Sequence, residues 1–128
     1  MKVVLDTYVV VSAFLSPVGK PAAILQLVLR RDIELCFNTA ILSEYEQVLT
    51  RAKFTEKIHH VELQRFFTII YSIGANIIAT PSEIALIDES DRKFYDVAKC
   101  AGAVLITGNK KHYPSEPFVI NADEFLLN

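Results

Sequence analysis

Asp6 closes the apolar run Lys2-Val3-Val4-Leu5-Asp6 and is followed at once by Thr7. A carboxylate at the end of a buried strand is delivered to the edge of an open α/β sheet, where such sheets gather their ligands. Asp is also a favoured helix N-cap, so capping alone would account for the residue. The choice turns on which other groups reach the same edge. Asp91 stands at the start of an amphipathic segment, and Asn109 follows Thr107-Gly108 at the end of a second apolar run. Glu44 falls on a helix beside the first strands, from which one side chain can turn back over the edge. Carboxylates crowded together raise one another's proton affinity, and a hard divalent cation between them relieves the repulsion. The chemistry indicated is a Mg²⁺ or Mn²⁺ ion held by Asp6, Glu44 and Asp91, activating water for phosphodiester cleavage.

The elements that must position these groups follow from hydrophobic period and turn chemistry. Lys2 to Asp6, Ile33 to Phe37, Asn76 to Ile78, Ala103 to Thr107 and Phe118 to Ile120 read as five short strands. Between them lie helical segments. Val9 to Leu15 is apolar and breaks at Ser16-Pro17-Val18-Gly19, and Pro21 suits the first turn of a helix that ends near Arg30 and Arg31. Asn38 or Thr39 can cap a helix running to about Leu49, in which Ile41, Leu42, Tyr45, Val48 and Leu49 recur at helical spacing. A further helix spans His60 to about Ile73 and stops at Gly74. Asp88-Glu89-Ser90-Asp91 introduces one from about Arg92 to Ala101, ended by Gly102, and Asn121 caps a last short one. Strands alternating with helices mean a mostly parallel sheet covered on both faces.

Composition sets the outer limits. The 128 residues, 52% of them hydrophobic with a mean hydropathy of +0.30, suit one domain over residues 1–128 with a core that needs no disulfide or structural metal. Charge interrupts every apolar stretch before it reaches the length of a membrane span, and no basic region with a cleavage site opens the chain, so a cytoplasmic protein is expected. Cys36 and Cys100 lack metal-binding spacing and read as reduced thiols. A net charge of −2 and a pI near 5.9 argue against a module that binds nucleic acid by bulk charge alone. They leave room for a nuclease, because a bound cation meets the phosphate itself. A nucleotide-binding domain would need a glycine-rich phosphate loop, and four glycines in the chain form none.

The strings VVLDTYVVVSAFLSPVGKPAAIL, ILSEYEQVL, DESDRKFYDVAKCAGAVLITGNKKHYP and FVINADEFL resemble, in order and spacing, the signatures of PIN-domain proteins, specifically toxin components of toxin–antitoxin systems. The resemblance covers almost the whole chain. It implies a three-layer α/β/α sandwich with a central, mostly parallel five-stranded sheet, and an endoribonuclease of the VapC-like kind dependent on Mg²⁺ or Mn²⁺. It also implies an RNA substrate, a cognate antitoxin and a homodimer, with no membrane. Asp6 matches the family's first metal-binding aspartate, Glu44 its helix carboxylate and Asp91 its third acid. Asn109 stands where many members have a fourth aspartate, and its carbonyl oxygen can ligate the ion or hold a metal-bound water. Thr107 then orients that water or Asp6. The D-T-N run usual in the family is Asp6-Thr7-Tyr8 here, so Thr7 is retained and the amide expected to position the acids is replaced by a phenol. Tyr8 and Asn109 therefore motivate an alternative, a PIN domain that binds RNA or a protein without turnover.

Other polar residues rank below these. Asp96, five residues beyond Asp91, is the reserve ligand, whereas Glu46, Asp88 and Glu89 read as solvated carboxylates. Lys110, Lys111 and His112 are candidate RNA contacts beside the acidic edge. His59 and His60 read as surface histidines, and Phe66, Phe67, Ile69 and Ile70 as core.

Overall fold

The computed structural model describes residues 1–127. In chain order it contains β1 (Lys2–Leu5), α1 (Thr7–Leu15), α2 (Lys20–Leu29), β2 (Glu34–Phe37), α3 (Thr39–Leu49), α4 (His60–Ile73), β3 (Ala75–Asn76), α5 (Arg92–Ala101), β4 (Val104–Ile106), β5 (Val119–Ile120) and α6 (Ala122–Leu127). Short 3₁₀ turns at Ala52–Phe54, Glu89–Asp91 and Lys110–His112 punctuate the loops.

Val3, Val4 and Leu5 are all buried, as are Leu35, Cys36 and Phe37 of β2. Strands apolar on both faces need a helical layer on each, which is the α/β/α sandwich observed. The sheet order is β3-β2-β1-β4-β5 and every pair is parallel. The chain thus winds outward from β1 through β2 to β3, then returns to lay β4 on the other flank of β1. Strand order reverses between β1 and β4, and a crevice opens at their carboxyl ends. Backbone pairing carries the two strands into it, because Asp6 N–H donates to Ile106 O at 3.0 Å and Thr107 N–H to Ile120 O at 3.0 Å.

Local chemistry explains the boundaries. Asp6 caps α1, accepting from Tyr8 N–H at 3.1 Å, so the helix begins two residues before the apolar stretch at Val9. Asn38 caps α3 through Ile41 N–H at 2.9 Å. Asn121 and Glu124 form a reciprocal capping box at α6, with bonds of 2.8 and 3.1 Å. Asp91 precedes α5 but its side chain caps nothing there; Asp88 caps the preceding turn instead, accepting from Ser90 N–H at 2.9 Å. The third strand is Ala75–Asn76 rather than Asn76–Ile78, with one more ladder bond from Ile77 N–H to Phe37 O, while Ile78 is exposed.

Residues 77–88 have no regular secondary structure and are strapped to α5 by side chains. Arg92 donates to the Ser82 carbonyl at 2.7 Å and the Ile84 carbonyl at 2.6 Å, and Asp96 accepts from Ser82 N–H at 3.1 Å. The strap leads directly into the turn that carries Asp88 and Asp91. Among the described residues no single helix is long and apolar enough to cross a membrane; α1 and α2 qualify only as a pair, bent by 101°.

Gly74 ends α4 where the chain passes onto β2. A Cβ there would stand 2.3 Å from the Phe37 ring, 2.8 Å from the Ile70 carbonyl and 3.0 Å from the Leu35 carbonyl. Two of the three obstacles are backbone and cannot swing aside. Gly74→Ala is expected to cost about 1–3 kcal/mol by overpacking, read as a lowered midpoint in denaturant unfolding; an unchanged midpoint would show that α4 can retreat from the sheet.

Candidate functional site

Asp6 acts as a cap and as the centre of a larger network. Its Oδ1 accepts from Tyr8 N–H, while Oδ2 accepts from the Thr107 hydroxyl at 3.0 Å and the Tyr113 hydroxyl at 2.9 Å. Thr107 Oγ1 in turn accepts from Asn109 N–H at 3.1 Å, so one buried hydroxyl ties the turn after β4 to the carboxylate after β1. All three groups bound to Asp6 are neutral donors. They orient the carboxylate and leave its negative charge in place.

Glu44 reaches the same place from α3. Its neighbour Tyr45 is fully buried and donates its hydroxyl to the Leu5 carbonyl, pinning α3 against the end of β1. The Thr7 hydroxyl donates to Glu44 Oε2, and Lys93 Nζ lies 2.7 Å from Oε1. Asp91 completes the set from the start of α5. Its Oδ2 is buried and accepts no hydrogen bond among the described residues, with His112 Nδ1 at 3.4 Å.

These side chains line one cleft of about 660 Å³, together with Tyr8, Thr107, Asn109 and His112. Its electrostatics are those of partly compensated acid, with Lys93 on Glu44 and His112 beside Asp91. The Asp91 carboxyl is pushed above the usual carboxylate range, first by burial, then by the charges of Asp6 and Asp88, against the opposing pull of His112. The Tyr45 and Tyr113 phenols are held protonated by burial and by Asp6. An all-oxygen donor set with one buried oxygen left bare suits a hard divalent cation. Among the described residues, however, no three His, Cys, Asp or Glu side chains stand close enough to share an ion as they are placed. Each acid is turned to a separate partner, Asp6 to Thr107 and Tyr113, Glu44 to Thr7 and Lys93, Asp91 toward His112.

Several sequence candidates lie elsewhere. Asp96 is not brought to the cleft: five helical residues place it about 140° around α5 from Asp91, where it holds the Ser82 backbone. Lys110 is paired with Glu124 at 2.9 Å and Lys111 is exposed, and neither lines the cleft. Sequence reasoning missed four residues. Gln47 lines the cleft one helical turn from Glu44, a periodicity that identifies it as sharing its face, and Arg51 reaches the cleft from extended backbone just past the end of α3. Lys93 reads as a surface residue until Glu44 is placed beside it. Tyr113 carries no spacing signal, because a loop brings it to Asp6.

Comparison with known proteins identifies the family and the fold. Residues 2–111 match the family model described as the PIN domain. The chain is 31% identical over 111 residues to MJ1680, an uncharacterised protein of Methanocaldococcus jannaschii, covering 86% of this chain and 72% of that one. It also resembles a chain in the crystal structure of VapBC2 from Rickettsia felis bound to a DNA fragment from their promoter. That match has a TM-score of 0.58 and 18% identity, over 94% of this chain and 97% of the other, and concerns the fold.

The raised Asp91 carboxyl has a sign that can be checked. Folding favours its protonated form, so its contribution to stability is fully present below the ordinary aspartate range and lost as pH rises through the raised value. Asp91→Asn, measured without divalent metal, is expected to be more stable than the parent at neutral pH by on the order of 1 kcal/mol. The difference should shrink on acidification. A variant less stable at neutral pH would mean that the His112 contact outweighs burial.

Proposed function

The chain belongs to the PIN-domain family, and on that premise we propose that it is a Mg²⁺- or Mn²⁺-dependent endoribonuclease serving as the toxin of a toxin–antitoxin pair. The observation that carries the proposal is the meeting of Asp6, Glu44 and Asp91, from three separate elements, in one cleft at the point where strand order reverses. These three acids would hold the ion. Asn109 assists through its side-chain carbonyl, which adds a ligand without adding to the repulsion. A bound divalent ion supplies an activated water and offsets the charge that builds on the phosphodiester.

The chain's own residues do the rest. Thr107, Tyr113 and the Tyr8 amide fix both oxygens of Asp6, so the carboxylate loses little freedom when it engages a ligand. Thr7 and Lys93 hold Glu44 beside it. Arg51 and His112, on the cleft wall, meet RNA phosphates on either side of the acids. An antitoxin partner is supported by the VapBC2 neighbour, and a homodimer by the family resemblance; both are parts of the proposal.

A specific observation favours a second reading, in which the domain binds RNA or a protein without turnover. Lys93 already places a positive charge on Glu44, and Tyr8 turns an exposed ring outward instead of supplying an amide. Calorimetric titration separates the two. Mn²⁺ binding that disappears in Asp6→Asn supports the enzyme, and no binding at millimolar Mn²⁺ supports the second reading.

The direct test is cleavage of an RNA pool by pure, antitoxin-free protein with Mn²⁺ or Mg²⁺. Asp6→Asn should lower the rate by about 100-fold or more, as loss of a group that stabilises charge in the transition state does. Equal rates for the two proteins would remove Asp6 from the mechanism.

A further inference from the structure

Tyr8 borders two clefts. Besides the acidic one, it lines an adjoining hollow of about 320 Å³ whose wall includes Lys20, Asn121 and Asp123. Thr107 and Gly108 also belong to both, so the two hollows meet along a ridge formed by Tyr8 and the turn after β4. The Tyr8 backbone is fixed by its bond to Asp6, yet its side chain leaves the residue 57% exposed. An aromatic ring at a rigid helix start, exposed and beside three acids, contributes nothing to the core. Its flat face is open to a partner.

We propose that Tyr8 is a stacking platform for a nucleobase of single-stranded RNA adjoining the scissile phosphate, with the second hollow receiving that nucleotide. The inference rests on the ribonuclease reading and extends it to how the substrate is held. Three observations converge on it. Stacking needs an exposed ring whose position is set by the backbone, and Asp6 sets that of Tyr8. The ridge places one hollow directly beside the acids, so a chain running across it puts a phosphate on one side and the neighbouring base on the other. Lys20 offers the second hollow a positive charge: its pair with Asp123, 2.9 Å apart, is about 60% exposed on both sides and easily exchanged for a phosphate. The ring also explains a chemical difference. The run that the family resemblance expects to be Asp-Thr-Asn carries here a partly exposed phenol in place of the amide, and an exposed ring can meet substrate.

The occupant is identified by its base rather than its charge, and the test is built on that distinction. Binding is measured in EDTA, without turnover, using a fluorescently labelled single-stranded oligoribonucleotide and the same oligomer with abasic positions. Tyr8→Ala should weaken binding of the intact oligomer by about 5- to 150-fold, the range for one stacked base, while changing binding of the abasic oligomer less than about twofold on the same reasoning. The chain has no tryptophan, so Tyr8→Trp introduces a single indole at the ridge, and its emission should be quenched by the intact oligomer and not by the abasic one. Equal binding of both oligomers by parent and Tyr8→Ala, with the indole unquenched, would overturn the stacking role while leaving the nuclease in place if RNA is still cleaved. Indole emission that responds only to a co-expressed protein partner would assign the ridge to that partner and overturn the proposal. Failure of the parent to bind any RNA, in EDTA and with Mn²⁺ restored alike, would count against the ribonuclease reading itself.

Discussion

The hydrogen bond from the Thr107 hydroxyl to Asp6 joins residues 101 positions apart, and the arrangement of the cleft depends on it. Adjacent parallel strands end side by side, but their following residues depart in different directions, Asp6 into α1 and Thr107 into a loop. A single buried hydroxyl at that fork fixes both departures, since Thr107 Oγ1 also receives Asn109 N–H. A slip of β1 against β4 by one residue would part Asp6 from Thr107 and break the bond. The register of β1 against β4, Leu5 beside Ile106, is thus also the register of the site.

Three acids in one cleft carry a cost in the absence of a cation, and the molecule distributes it unevenly. Asp6 is surrounded by neutral donors, which stabilise a carboxylate while preserving its charge. Glu44 has Lys93, whose ammonium offsets its charge directly. Asp91 has His112 at 3.4 Å, a cation only when protonated, and an oxygen that accepts no hydrogen bond among the described residues, and its carboxyl is displaced upward. The unmet demand for positive charge is therefore concentrated at Asp91. That residue sits on a turn rather than a strand, at the end of the strap that Arg92 and Asp96 bind to α5. The acid with most to gain from a cation is also the one whose support lies outside the sheet.

What the sequence disclosed and what it hid divide along physical lines. Runs such as Val3-Val4-Leu5 and Leu105-Ile106 announce buried strands by themselves, and parallel topology then puts Asp6 and Thr107 at one edge without further information. Glu44 and Gln47 share a face because helical geometry is periodic, whereas Arg51, beyond the end of α3, carries no such signal. The third strand was legible but its bounds were not, because a two-residue strand has no period to read and its position is set by Gly74 approaching β2. Tyr113 and Lys93 escaped for another reason: their roles are long-range contacts, made by a loop in one case and across two helices in the other. Asp96 was misjudged because proximity in sequence to Asp91 is opposite to proximity in space on a helix.

Lys93 changes what metal affinity means for this site. Under the proposed reading, an ion entering between Asp6, Glu44 and Asp91 would meet a carboxylate already paired, so its gain would be the difference between its own attraction and that of the ammonium it displaces or joins. The same pairing lets the chain fold with its acids together, since an isolated buried carboxylate is far more costly than a paired one. Asn109 acts in the same direction: a fourth carboxylate would raise the repulsion that Lys93 has to offset, and an amide does not. Neutral donors on Asp6, an ammonium on Glu44 and an amide at Asn109 together let three acids share one cleft at tolerable cost, and an ion held there, as proposed, would feel a weaker pull for it.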